Sequence, residues 1–330
     1  MLNGLYVMDL GRFDDVYGPA ERAALEQHLR FAAAPLTAAD LAQRPELLAD
    51  VEVLVTSWGG PRLTAELLDA APMLTLVLYG AGSVRPVVTP ESFARGVQIT
   101  SAASANALPV AEFALTQILY ALKHGWRYVL ASRTAGATAP RAAEPGANGS
   151  VVGLMALGAT GSATARLLAR HDVVVQASDP YADPAVAAEL GVRLVGLDEL
   201  FATSDVVSLH APLLPATRHM VGTRLLESMK PDATLVNTAR GGLVDEDALV
   251  GVLQRRPDLF AALDVTDPEP PVSGSPLFTL SNVVVTPHLA GSLGPERRRQ
   301  GRLMAEELAR YCAGEPLRHE ITESGLERSA

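Results

Sequence analysis

The chain of 330 residues has one cysteine, Cys312, so it can form no disulfide within itself, which suits a reducing compartment. No apolar stretch reaches the roughly 18 residues that a membrane-spanning helix needs. The opening, MLNGLYVMDLGRFDD, lacks the basic flank and apolar core of a secretory leader. Lys and Arg number 27 against 37 Asp and Glu, and the net charge of −10 argues against a general role on nucleic acid or anionic membrane. Both of those partners need a positive field. The only basic run, Arg297-Arg298-Arg299, starts a helical pattern and reads as a solvated face. No His, Cys, Asp or Glu cluster has metal-ligand spacing, and no Ser/His/Asp arrangement is visible. The expectation is a soluble, cytoplasmic protein, long enough for two domains.

What is present is an almost unbroken alternation of strand-like runs and helical patterns, which predicts an α/β fold with mostly parallel sheets and helices on both faces. In the first hundred residues LYVMDL, VEVLVTS, LTLVLYG and VQIT read as strands, with ERAALEQHLR and LTAELLDAA as helices. A single long helical pattern runs from Ala107 to about Ser132. The stretch TAGATAPRAAEPGANGS then lacks periodicity and is too long for an ordinary loop, which leaves either a disordered segment or an arm ordered by a partner subunit. A second series starts at Ser150: SVVGLM, DVVVQAS, VRLV, SDVVSLHA, ATLVNTA, FAALDV and NVVVTP. A last helix, from about Pro295 to Ala313, has no strand of its own and could return to the first domain. The expected division is 1–104 with 293–330, and 105–292.

Val151 to Pro180 form a βαβ unit whose turn, Ala156-Leu157-Gly158-Ala159-Thr160-Gly161, suits a pyrophosphate at a helix N-terminus. Ala156 stands where the first glycine of G-x-G-x-x-G belongs; a positive φ there would cost about 1 kcal/mol. Asp179 lies 18 residues beyond Gly161, where a carboxylate can accept from ribose hydroxyls. It would repel a 2′-phosphate, and no Arg or Lys follows in DPYADP, so NAD is favoured over NADP. Arg240, Glu269 and His288 each follow a strand-like run, where α/β sheets present their chemistry.

These motifs resemble the D-isomer-specific 2-hydroxyacid dehydrogenases over nearly the whole chain. YGAGSVRP is similar to that family's substrate-carboxylate loop and NALPVAEFAL to the start of its interdomain helix. VVGLMALGATG, SLHAPLLPATRHMVG, LVNTARGGLVDEDAL, AALDVTDPEP and VTPHLAGS follow in the family's order. The resemblance implies two Rossmann-like, doubly wound parallel-sheet domains about a cleft, a flavodoxin-like substrate domain and an NAD-binding domain. It implies that Arg240 binds the substrate's carboxylate and 2-oxo oxygen, that His288 exchanges the proton, and that Glu269 holds His288 protonated and oriented. Ala81, Gly82 and Ser83 would offer backbone amides to the carboxylate. Asp264 would meet the nicotinamide carboxamide. Pro180, His210, Ala211, Pro212, Thr217, Thr238, Ala239 and Ala290 would line the cofactor with the glycine turn. Trp58, after a strand, could wall the substrate pocket or pack under the cleft rim; Tyr79 and Arg85 flank the carboxylate loop as further substrate-binding candidates, and Arg85 could meet a second anion. The partner implied is a small 2-oxo or 2-hydroxy acid, with a second copy of the chain as a homodimer.

The rival reading is a dinucleotide-sensing binding protein on the same fold. Within the enzymes, Glu269 disfavours a formate dehydrogenase, which carries glutamine there. A lysine that phosphite dehydrogenase has near the position of Ala81 is missing.

Overall fold

The computed structural model describes residues 1–140 and 146–326. Residues 141–145, within the stretch read as either a disordered segment or an arm, lie outside them. The chain divides into two compact units, Met1–Asn106 with Ser292–Ala330, and Ala107–Gly291.

The first unit is built on a parallel sheet of β1 (Leu2–Val7), β2 (Leu29–Phe31), β3 (Val53–Thr56), β4 (Leu76–Tyr79) and β5 (Gln98–Ser101), in the order β2-β1-β3-β4-β5. β3 and β4 are buried on both faces, which is why they read as continuous apolar runs rather than alternating ones. β2 corrects the sequence reading, which ran the helix through Arg30. The helix stops at Glu26, and Leu29–Phe31 pairs with Leu2–Gly4 instead. The helix Arg298–Cys312 sends Met304, Ala305 and Leu308 into a core with Tyr6, Met8, Val16 and Tyr17. Its Glu307 carboxylate, buried, accepts the backbone amides of Arg318 and His319 and fixes the tail that pairs with Thr100.

Arg297 is a second correction. It is not solvated: only 13% of its side chain is exposed, its Nη1 donates to Asp15 at 2.5 Å, and its guanidinium lies 5.6 Å from the centre of the Trp58 ring.

The second unit contains a seven-stranded parallel sheet: β6 (Val151–Met155), β7 (Val174–Ser178), β8 (Arg193–Leu194), β9 (Val206–Leu209), β10 (Thr234–Asn237), β11 (Phe260–Leu263) and β12 (Val283–Val285). Its order, β12-β11-β10-β9-β6-β7-β8, reverses direction between β6 and β9. That is a topological switch point, and ligands of open α/β sheets bind outside the carboxyl ends of the strands there. The alternation in the sequence thus gave the right fold class.

The single long helix expected from Ala107 is two helices, Ala103–Ala121 and Gly125–Ala135, bent by 63°. His124 sits at φ 53° in the left-handed region, and a Cβ on Gly125 would lie 2.4 Å from the Tyr120 ring. Among the described residues no single helix is long and apolar enough to cross a membrane.

Gly301 lies where the helix Arg298–Cys312 crosses the end of the short helix Phe13–Val16, and a Cβ there would stand 2.0 Å from the Val16 carbonyl oxygen. Alanine ordinarily gains about 1 kcal/mol over glycine inside a helix. Against backbone the clash wins, so Gly301→Ala should lower stability by about 1–3 kcal/mol in urea denaturation.

Candidate active site

The registers of the second sheet put six strand ends in one row. Ser178 pairs with Met155, Met155 with Leu209, Leu209 with Asn237, Asn237 with Leu263 and Leu263 with Val285. The residues that leave this row are Asp179, Ala156, His210, Thr238, Asp264 and Thr286. Parallel pairing therefore gathers at one sheet edge groups that are far apart in the chain.

The cofactor turn leaves β6 at Ala156, whose φ of 77° is the glycine-like conformation that an alanine adopts only under strain. The helix Ala159–Leu168 starts at Gly158, with no side chain capping its first amides. A Cβ on Gly158 would meet nothing within 4 Å, whereas one on Gly161 would lie 2.2 Å from the Ala156 carbonyl oxygen. Gly161 is thus required for packing of helix on strand, and Gly158 keeps the mouth of the turn clear. Asp179 closes the far side: its carboxylate accepts the Leu157 and Tyr181 amides, each at 2.8 Å. The free helix amides and open turn fit a pyrophosphate. Two buried polar atoms on neighbouring loops, Thr238 Oγ1 and His210 Nδ1, have no protein partner and can receive further polar groups of a dinucleotide. Thr217 instead closes the loop after β9, donating to the Pro212 carbonyl at 2.6 Å and accepting the Leu214 amide at 2.8 Å. Ala211 and Ala290 are buried and Ala239 and Pro212 partly so, while Ala159 and Pro180 are exposed.

Arg240, Glu269 and His288 come together. His288 Nδ1 donates to Glu269 Oε1 at 2.5 Å, leaving Nε2 as the nitrogen not engaged by that carboxylate. Burial pulls the Arg240 guanidinium below its usual value, and the nearby negative charge of Glu269 opposes the shift. Arg240 Nη1 rests on the Ala239 carbonyl at 2.6 Å. His288 is itself at φ 52°, held by its amide on the Asp264 and Thr286 carbonyls, both at 3.0 Å.

Asp264 has a use within the protein beyond the one expected. Its buried carboxylate accepts the Thr286 hydroxyl at 2.5 Å and the amides of Leu289 and Ala290 at 3.0 and 2.8 Å. It builds the loop that carries His288, and these three bonds leave part of its acceptor capacity free. Asn237, which the sequence reading did not single out, is fully buried and bonds both Ala239 and Arg240. Its one signal in the sequence is a polar side chain ending an apolar strand.

The first unit corrects several expectations. Tyr79 is buried in the core of its sheet, which pushes its hydroxyl up to about 12, so it packs rather than lines a pocket. The Ala81 amide donates to the Tyr79 carbonyl at 2.9 Å, which leaves Gly82 and Ser83 as the partly exposed positions of that loop. Arg85 Nη2 donates to the Leu326 carbonyl at 2.7 Å and so secures the tail. Trp58 is half-buried, with the guanidiniums of Arg12 and Arg297 at 5.4 and 5.6 Å from its ring centre. Among the described residues no group of His, Cys, Asp and Glu could hold a metal ion.

Residues 115–290 match the NAD binding domain of the D-isomer specific 2-hydroxyacid dehydrogenases. D-3-phosphoglycerate dehydrogenase of Mycobacterium tuberculosis is 37% identical over 262 residues, 76% of this chain and 47% of that protein. The chain spans about half the length of the curated relatives it first matches. Glyoxylate reductase of Korarchaeum cryptofilum is 33% identical and covered over 82% of each chain. The NAD-complexed D-isomer specific 2-hydroxyacid dehydrogenase of Lactobacillus delbrueckii ssp. bulgaricus has the same fold, with a TM-score of 0.78 at 22% identity, over 97% of this chain and 100% of that one.

Two outcomes follow from this geometry. Ala156→Gly removes the positive-φ strain and should add about 1 kcal/mol of stability, read by urea denaturation, with NADH bound at least as tightly in a fluorescence titration. His210, which burial lowers to about 4, stays neutral in the fold while the unfolded chain takes up a proton near pH 6.5. Stability that is complete above pH 6.5 should therefore fall as the pH drops toward 4, by up to about 3 kcal/mol from this group. His210→Gln should flatten that part of the pH–stability curve.

Proposed function

The chain belongs to the D-isomer-specific 2-hydroxyacid dehydrogenases, and we propose that it is an NAD-dependent reductase of a small 2-oxo acid, acting in reverse as a 2-hydroxyacid dehydrogenase. The observation that carries this reading is the Glu269–His288 hydrogen bond beside the half-buried cation of Arg240, at the same sheet edge as the glycine turn.

The turn from Ala156 to Gly161, with Asp179, His210, Thr238 and Ala239, would hold the dinucleotide. Bound there, NADH supplies the hydride that adds to C2 of the oxo acid. Arg240 binds the substrate carboxylate and the 2-oxo oxygen through its forked donors, which suits a planar anion better than an ammonium would. As C2 gains the hydride its oxygen becomes an alkoxide, and His288 gives it a proton from Nε2. Glu269 holds the imidazole by Nδ1, so that Nε2 is the nitrogen turned to the substrate. In the oxidative direction His288 takes the hydroxyl proton. Asp179 supports NAD over NADP, because a 2′-phosphate would meet a carboxylate and no Arg or Lys stands at 180–184. The helix Gly125–Ala135 carries no fully buried residue, which supports a homodimer covering that face.

One observation favours the second reading, a dinucleotide sensor: the strained Ala156 in the cofactor turn. The test is NADH oxidation, followed at 340 nm, against 2-oxo acids from glyoxylate and hydroxypyruvate to branched and phosphorylated ones, with NADPH in parallel. Turnover with NADH is expected, falling about 10²–10⁴-fold in His288→Ala. NADH binding with no turnover on any acid would favour the sensor.

A further inference from the structure

Asn237 is the polar residue at the end of β10, TLVN, in which all four residues are buried. A buried amide left without partners costs roughly 2–7 kcal/mol, so its presence there requires that both ends be bonded. They are, and to the turn that carries Arg240. Oδ1 accepts the Ala239 amide at 3.1 Å, and Nδ2 donates to the Arg240 carbonyl at 2.9 Å. The Asn237 backbone carbonyl accepts the Asp264 amide at 2.9 Å, which locks the residue to the neighbouring strand end.

The turn is held from its other side as well. A Cβ on Gly241 would stand 1.9 Å from the Thr266 carbonyl oxygen, so the chain after Arg240 lies directly against the segment following β11. Between these two constraints Arg240 is extended, at φ −147° and ψ 139°, and its Nη1 rests on the Ala239 carbonyl. Asn237 therefore bonds the peptides on either side of the one on which the guanidinium rests, through the Ala239 amide before it and the Arg240 carbonyl after it.

We propose that Asn237 is a positioning residue for Arg240: its side-chain amide sets the 238–240 turn so that the guanidinium's remaining donors face the substrate. The substrate part of this statement rests on the reductase reading above. The placement of Arg240 does not.

The test compares the wild type with Asn237→Ala, and with Asn237→Asp, which keeps the acceptor and size but loses the donor. Three readouts are used: crystal structures of the variants, KM and kcat for the best 2-oxo acid, and the NADH Kd by fluorescence. Expected is an Arg240 guanidinium displaced from the Ala239 carbonyl. KM should rise on the order of 10²-fold in Asn237→Ala and less in Asn237→Asp, the scale of a misplaced binding group. Because Thr238 and Ala239 also belong to the proposed dinucleotide site, the NADH Kd should rise too, but by about tenfold less than KM, a split that general loosening of the fold would not give. Arg240 unmoved in both variant crystals, or KM and NADH Kd worsening in parallel, would overturn the proposal. If the wild type turned over no 2-oxo acid, the reductase reading would fail, while the crystal comparison would still decide whether Asn237 places Arg240.

Discussion

The in-register ends of six parallel strands are the constraint on which this site depends. Because Ser178, Met155, Leu209, Asn237, Leu263 and Val285 share one row, the loops that follow start at a common level. A slip of one residue would turn every side chain of a strand to the other face and shift the loop it carries along the row. The hydrophobic core thus sets the level of the chemistry without taking part in it. Loops carry the groups proposed to react, and two buried polar side chains, Asn237 and Asp264, carry the precision of the sheet outward into those loops.

Each loop is secured in a way that suits what it carries. The cofactor turn is made of close approach, with Gly161 packed on the Ala156 carbonyl. The Arg240 turn is clamped by an amide, and the His288 loop by a carboxylate that accepts one hydroxyl and two backbone amides. The left-handed conformations at Ala156 and His288 fall in the loops that do the chemistry, where a surrounding network can hold strain that an isolated loop would relax. Glu269 and His288 are substantially exposed, so their bond stands on geometry rather than on desolvation.

Much of this was legible in the sequence, for identifiable reasons. Strands buried on both faces leave unmistakable apolar runs, and the seven of the second unit were all read correctly. β2 was missed because three residues, Leu-Arg-Phe, continue a helical pattern and only pairing with β1 makes them a strand. The bend at His124 was missed because a histidine rarely takes the left-handed conformation and the neighbouring Gly125 looked tolerable inside a helix. Motifs singled out Arg240, Glu269 and His288, which the fold brings together, yet no pattern could say that Asp264 faces the His288 loop, that the Ala81 amide is already bonded, or that Arg297 lies against Trp58. Those facts depend on which loops meet, and that is decided by sheet order and register.

The central claim is that Glu269 acts only through His288, as the group that holds its imidazole by Nδ1. The most direct measurement is a double-mutant cycle on kcat/KM for 2-oxo acid reduction, with Glu269→Ala, His288→Ala and the two combined. The account predicts strong non-additivity, with the double variant no slower than His288→Ala alone, because Glu269 has nothing left to orient. Losses that multiply in the double variant would contradict it and give Glu269 a separate part in the reaction.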